Sequence, residues 1–357
     1  MTAHMPIVRC AGAPRRRGET HGEELRAQIQ ATQERWLESL NQAGHADPLA
    51  YLREFIHHTD YTSAMSRWTP DLLDELRGIA AGAGVPFDQL LAYNLLDEEW
   101  WFSRSGARPA AGCTVIGWWD AGAGRTLLAQ TMDIGSFYNS AQAVLQVQPD
   151  DAPEALVFTF AGMLGLNGCN ASGVGVVVNN LSMLPHAGQG LPVAAVVRGI
   201  LARRSLEDAA AFVRSVPHAS GQHYAVGSPD ELASFECSAD GVVQDANISS
   251  RIVHTNHPIL GSHPASADAA SNATANSRAR YDFVAEQMAA LAGQADIEAI
   301  LADRSVPISI ACTPGRGFTF GATSLDLALP PRMRVAPGPP DCTPYVDLSF
   351  DSVRSQV

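Results

Sequence analysis

Apolar residues recur at helical spacing through the first hundred positions of the chain. Leu25, Ile29, Trp36 and Leu40 follow one another at intervals of four, seven and four in a stretch rich in Glu, Gln and Arg, which predicts an amphipathic helix with one buried face. Thr69-Pro70 reads as a cap followed by proline at the first helical position, and Leu72, Leu73, Leu76 and Ile79 carry a second helix toward Gly82. A third follows Pro86 through Leu90, Leu91 and Asn94. At Cys113 the period changes. The run Cys113-Thr114-Val115-Ile116-Gly117-Trp118-Trp119 has the near-continuous apolarity of a buried strand. Short β-type runs follow at Thr126–Thr131, Ala143–Val147, Ala155–Phe160, Val174–Val178, Tyr224–Val226 and Ile252–Thr255. Helices return over Val193–Arg203 and, behind the capping-box spacing of Ser205-Leu206-Glu207-Asp208, over Ala209–Val216. A second helical pair, Arg278–Ala292 and Asp296–Asp303, precedes strands near Ile308–Ala311, Gly321–Leu327 and Met333–Val335. Helices flanking antiparallel strands predict a layered α+β chain. Ser103–Ala111 and Gly261–Asn276 read as linkers, and the first leads straight into Cys113.

Composition narrows the picture. With 46% hydrophobic and 17% charged residues over 357 positions, the chain supports a large core in one or two domains. A net charge of −13 opposes binding to a polyanion, and the basic cluster Arg15-Arg16-Arg17 lies near one end, so no nucleic-acid partner is expected. Met1–Pro14 lacks the apolar core of a secretion signal and no segment is long enough to span a bilayer, so the expectation is a soluble cytoplasmic protein. The cysteines at 10, 113, 169, 237, 312 and 342 are far apart and form no C-x-x-C pair, which points to free thiols. The triplet Asn247-Ile248-Ser249 is chemically idle without export.

Candidate chemistry centres on Cys113, which Ala110-Ala111-Gly112 precede. A cut of the Gly112–Cys113 bond would leave a thiol and an α-amine on one residue, with reference pKa values of about 8.5 and about 7.7–8.0 that suit proton sharing near neutrality. The cut itself would be attack of the thiol on the Gly112 carbonyl, through a thioester. A lone Gly-Cys-Thr step is equally the mark of an inert core thiol. Its companions add weight: Gln130-Thr131-Met132-Asp133, then Gly168-Cys169-Asn170-Ala171-Ser172-Gly173-Val174-Gly175 leading to Asn179, then His254-Thr255-Asn256-His257. His254 and His257, three apart with no third ligand in register, read as hydrogen-bonded structural residues, as does His57-His58 with Asp60, and no metal is expected. The chain contains neither Gly-x-Ser-x-Gly nor Gly-x-Gly-x-x-Gly, so serine-hydrolase and dinucleotide readings lack their minimum signature and no cofactor is expected.

In this order and spacing the motifs resemble the isopenicillin N acyltransferase family of self-processing N-terminal nucleophile hydrolases. The likeness also touches Gly18-Glu19-Thr20-His21-Gly22, Ser309–Thr323 and Val335-Ala336-Pro337-Gly338-Pro339-Pro340, and so covers nearly the whole chain. It implies a four-layer αββα sandwich. It further implies self-cleavage before Cys113 into a mostly helical segment, 1–112, and a core, 113–357, that stay together as one intertwined unit, with further assembly left open. Asp133 would then hold the α-amine, against the alternative of a solvated strand-end carboxylate. Asn256, and after it Asn179, would donate N–H groups to the oxyanion, against the alternative of amides satisfying backbone groups. Trp118, Phe137, Tyr138 and Arg316 are candidates for the substrate pocket, with core packing the alternative for the aromatics. One departure stands out: where the family usually carries arginines, this chain reads Ile310-Ala311-Cys312-Thr313-Pro314, with Arg316 the nearest arginine. The function expected is a self-activating cysteine amidase that cleaves a small-molecule or short-peptide amide through a thioester on Cys113. Alternatives are an acyl-CoA-dependent N-acyltransferase, a catalytically silent binding or scaffold protein with the same fold, and a thiol peptidase that uses a histidine such as His254 without self-cleavage.

Overall fold

The computed structural model describes residues 5–103, 112–248, 250–260 and 272–351. The apolar run from Cys113 forms β2 (Cys113–Asp120), which turns back into β3 (Arg125–Gly135), and the side chains of both strands are largely buried. These two strands are the centre of a six-stranded antiparallel sheet in the order β11 (Arg251–His254), β2, β3, β12 (Gly317–Asp326), β13 (Arg332–Ala336), β14 (Val346–Ser349).

An eight-stranded sheet stacks against its inner face. There β1 (Ile7–Ala11) pairs in parallel with β4 (Gln142–Gln148), and β5 (Ala155–Phe160), β6 (Asn167–Asn170), β7 (Gly175–Asn180), β8 (Gln222–Gly227), β9 (Leu232–Ser238) and β10 (Gly241–Gln244) follow antiparallel. Gln130 of β3 pins the two sheets together. Its Oε1 accepts the Val178 N–H at 3.2 Å and its Nε2 donates to the Val178 carbonyl, so β3 and β7 are fixed in register where the site will lie.

Helices cover both outer faces. Helices α8 (Val193–Leu201) and α9 (Leu206–Ser215) lie on β6 to β9, while α10 (Asn272–Gln287) and α11 (Gln294–Leu301) lie on the six-stranded sheet. Under the latter pair Ile116, Trp118, Leu127 and Ala129 meet Val284, Met288, Ile297 and Leu301 in a core of their own. The layers run α, β, β, α, as the resemblance implied. Ser205 caps α9 by accepting the Asp208 N–H at 3.1 Å, as its spacing predicted.

The segment before Cys113 is built from α1 (Pro14–Glu24), α2 (Arg26–Gln42), α3 (Pro48–His57), α4 (Tyr61–Trp68), α5 (Pro70–Ala83), α6 (Phe87–Tyr93) and α7 (Leu96–Ser103). The sequence misleads at several points. Leu25 leaves helical geometry, at φ −107° and ψ 15°, so the helix running through Leu40 begins at Arg26, after a separate one. Arg15-Arg16-Arg17 is no basic patch, because Arg17 is buried against Glu75 at 3.0 Å. Ile308–Ala311 is not a strand: the Ile310 N–H donates to Thr319 Oγ1 at 2.8 Å and its carbonyl accepts the Thr319 N–H, a pairing around one residue instead of a ladder. Strands β1, β6, β9, β10 and β14 are not among those the sequence pattern predicts. Of the two linkers, residues 104–111 and 261–271 lie outside the described residues, while Ser103 closes α7 and residues 272–276 open α10. No helix among the described residues is long and apolar enough to cross a membrane.

Candidate active site

The pairing of β2 with β3 sets Cys113 opposite Met132, so Asp133 falls beside Gly112. The Asp133 N–H donates to the Gly112 carbonyl oxygen at 2.8 Å, which makes the Gly112 carbonyl a rung of the sheet. Space around Gly112 is tight on its charged side: a Cβ there would lie 3.0 Å from Arg280 Nη2 and 3.2 Å from Asp133 Oδ2. A larger residue would have to push apart a guanidinium and a carboxylate that are both buried.

Both backbone poles of Cys113 are held by side chains from distant segments. Its N–H donates to Asn256 Oδ1 at 2.7 Å. Its carbonyl accepts from Asn179 Nδ2 at 3.1 Å and from Arg280 Nη1 at 2.7 Å. Pairing of β11 with β2 sets His254 opposite Val115, so Asn256, just beyond the strand end, lands next to the cysteine nitrogen. Asn179 arrives from β7 in the other sheet, and Arg280 from α10. Arg280 ties these groups together, donating to Thr114 Oγ1 at 3.0 Å, Asn256 Oδ1 at 2.9 Å and Asn276 Oδ1 at 2.9 Å. Asp133 Oδ1 accepts the Thr319 hydroxyl at 2.6 Å.

Burial dominates the electrostatics. It pushes the Cys113 thiol up to about 12, and the Asp133 charge adds to this, while the Asp133 N–H and Arg280 pull the other way. Burial also raises Asp133 to about 7, against the opposing pull of the Thr319 hydroxyl and of Arg280. Arg280, only 2% exposed, has its pKa lowered by burial, and Asp133 and Cys113 support its charge. A carboxylic acid poised near neutrality can both give and take a proton at ordinary pH.

The structure brings Gly112, Cys113, Asp133, Asn179 and Asn256 together. Asn256 stands differently from its expected role as an N–H donor: its Nδ2 donates to the Asn180 carbonyl at 3.0 Å, and it is its oxygen that faces the cysteine nitrogen. Trp118 is a correction outright, since it points to the opposite face of β2, into the core beneath α10. Tyr138 is also core, stacked on Phe160 at 4.2 Å and beside Tyr93 at 5.8 Å. Phe137, half-buried, and Arg316, exposed, sit at the turn after β3, where the Arg316 carbonyl accepts the Ser136 N–H at 2.9 Å. Sequence reasoning missed Arg280 and Thr319. The signal for Arg280 was present: Arg280, Val284 and Met288 recur at helical spacing and all are buried, so an arginine occupies an apolar stripe. The departing stretch at Ile310 holds Thr319 against Asp133, and the guanidinium of the site comes from α10 instead.

Residues 119–320, more than half of the chain, match the family model described as acyl-coenzyme A:6-aminopenicillanic acid acyl-transferase. The chain belongs to that family. Within this acyl-transferase family member, the matched span holds Asp133, Asn179, Asn256, Arg280 and Thr319, and Cys113 lies just ahead of it. The chain is 26% identical over 261 residues to the acyl-coenzyme A:6-aminopenicillanic-acid-acyltransferase 40 kDa form of Emericella nidulans, covering 72% of this chain and 70% of that protein. Among solved structures it is similar to a mutant conjugated bile acid hydrolase from Clostridium perfringens, at 14% identity and a TM-score of 0.46 over 67% of this chain and 93% of that one. It is also similar to penicillin V acylase from Agrobacterium tumefaciens, at 12% identity and a TM-score of 0.38 over 67% and 86% of the two chains. Membership makes this family protein an enzyme of acyl chemistry, an amidase or an N-acyltransferase.

Proposed function

We propose that the protein cuts its own Gly112–Cys113 bond and then, with Cys113 as its new N-terminal nucleophile, cleaves a small-molecule or short-peptide amide. The observation that carries this reading is the clamp on Cys113: Asn256 holds its nitrogen, Asn179 and Arg280 hold its oxygen, and the sulfur is left as the reacting atom.

In the uncut chain the Cys113 sulfur attacks the Gly112 carbonyl carbon as the Asp133 carboxylate takes the thiol proton. Negative charge then grows on the Gly112 oxygen, which the Asp133 N–H already holds. The new C–S bond replaces the C–N bond, the departing nitrogen takes up a proton, and water opens the thioester. The nitrogen freed in this step is the α-amine, still facing Asn256 Oδ1, and it can serve as the base in each later turnover. A substrate amide then repeats the sequence, its carbonyl occupying the place that the Gly112 carbonyl vacates. Its amine leaves, and water resolves the acyl-enzyme. An amine acceptor in place of water makes the same thioester an acyl-transfer intermediate, a second reading that the acyltransferase relative favours.

The test is intact mass and terminal sequencing after expression, with turnover of acyl-anilides and N-acyl amino acids by the purified protein. Wild type should give two fragments, the larger beginning at Cys113, and Cys113→Ala should stay whole and inactive. An active, uncut wild type would end the proposal in favour of an ordinary thiol peptidase. A protein that turns over none of these amides, cut or uncut, would favour the silent scaffold.

A further inference from the structure

We infer that His223 is a positioning residue for the nucleophile, its ring N–H fixing the Asn179 side chain in the one orientation that aims Nδ2 at the Cys113 carbonyl. This rests on the proposed role of Cys113.

Asn179 and His223 face each other directly across β7 and β8, and neither is exposed. The Asn179 nitrogen has two carbonyls before it, Cys113 O at 3.1 Å and His254 O at 3.5 Å, so the group there must be the NH2. The amide oxygen therefore faces His223 Nδ1, at 2.9 Å. That oxygen only accepts, so Nδ1 carries the proton. A flipped amide would set its oxygen against two carbonyl oxygens, an arrangement with no hydrogen between them. His223 excludes the flip from the other side.

A second ring keeps His223 in this state. His254 stacks on it with centroids 3.7 Å apart and planes within 6°. Both His254 nitrogens face acceptors, the Thr255 carbonyl at 2.7 Å and Glu236 Oε1 at 3.0 Å. Glu236 Oε1 also takes the Ile259 and Leu260 N–H groups, at 2.6 and 3.1 Å, as a carboxylate does. His254 is thus held from both sides, by the Thr255 carbonyl and by Glu236. His223 is fully buried beneath that ring, and burial first, then the neighbouring imidazole, hold its pKa well below the usual histidine value, so it stays neutral. The Ser234 hydroxyl, 2.9 Å from Nε2, supplies its hydrogen to the free lone pair.

The experiment is a double-mutant cycle on full-length protein refolded from urea, read as the rate at which the two fragments appear. His223→Phe keeps a stacking ring and removes the donor, and should slow self-cleavage by roughly a hundredfold, close to the loss from Asn179→Ala. His223→Gln restores an amide N–H within reach and should return the rate to within about tenfold of wild type, as a conservative donor replacement does. In the Asn179→Ala background His223→Phe should add less than about twofold, because the two residues act as a unit. Melting curves of the variants separate misfolding from mispositioning, and rescue by His223→Gln cannot arise from lost packing. A wild-type rate in His223→Phe, or an equal loss in both backgrounds, overturns the assignment. If wild type itself does not cleave, the reading of Cys113 as a self-processing nucleophile fails separately. The same cycle is then read as the rate of Cys113 alkylation by iodoacetamide, and additive losses there overturn the positioning role.

Discussion

In the proposed self-cleavage Asp133 is the group whose ionisation sets the rate. Raised to about 7 by burial, it is protonated in mild acid and ionised in mild base, and only the ionised form can take the proton from Cys113. Self-cleavage after refolding should therefore slow about tenfold for each pH unit below 7 and level off above it, as expected for one ionising group. Gel bands timed at pH 5 to 8.5 check this, and a flat profile removes Asp133 as the acceptor. Asp133→Asn should abolish the acid limb and slow the plateau. The same shift works against the fold: a carboxyl whose native pKa is raised contributes stability that is complete below its usual value of 3.8 and is lost as pH rises through about 7. At this scale the sequence was legible where backbone pattern carried the information, at Cys113 at the head of a strand and Asp133 at the end of the next. It was illegible where tertiary packing decided. Nothing in His254-Thr255-Asn256-His257 says which end of the Asn256 amide meets the Cys113 nitrogen, and although Arg280 stands in line with Val284 and Met288, nothing in that spacing says that its helix lies over Cys113.

Elements show the same division. Strands buried on both faces announce themselves as apolar runs, which is why β3, β4 and β5 were readable, whereas β14 is a short outer strand of its sheet with two of its four residues exposed. The segment Gly18-Glu19-Thr20-His21-Gly22 entered only through resemblance, and the structure gives its physical reason. Helices α1 and α5 cross backbone to backbone there: a Cβ on Gly18 would sit 1.9 Å from the Glu75 carbonyl oxygen, and one on Gly78 would sit 2.2 Å from the Arg15 carbonyl oxygen. Gly18→Ala must force the helices apart and should lower the urea stability by about 3 kcal/mol, the upper part of the range for overpacked cores. An unchanged unfolding midpoint would show that the crossing gives way freely. The displaced carbonyl belongs to Glu75, whose carboxylate joins Arg17 of α1 to Arg198 of α8, at 3.0 and 2.8 Å, so the strain would reach the outer helical layer.

For the whole molecule, the segment before Cys113 is woven into the sandwich. Strand β1 is the edge of the eight-stranded sheet, the Val144 N–H donates to the Pro6 carbonyl at 3.0 Å, and the Glu75 cluster ties the segment to α8. We expect residues 1–112 and 113–357 to elute together by size exclusion after cleavage and to separate only in denaturant. Separation in plain buffer would contradict so large a shared core.

Gly112 lies between Arg280 and Asp133 as a link in an unbroken chain. Opening the bond would turn that link into a chain end with a carboxylate of its own, set down next to another carboxylate once the pH passes about 7. The Arg280 guanidinium stands on its other side, so the spent end would rest between a cation that holds it and an anion that repels it. Its hold would loosen as Asp133 ionises, so the niche would empty more readily above about pH 7 than below it.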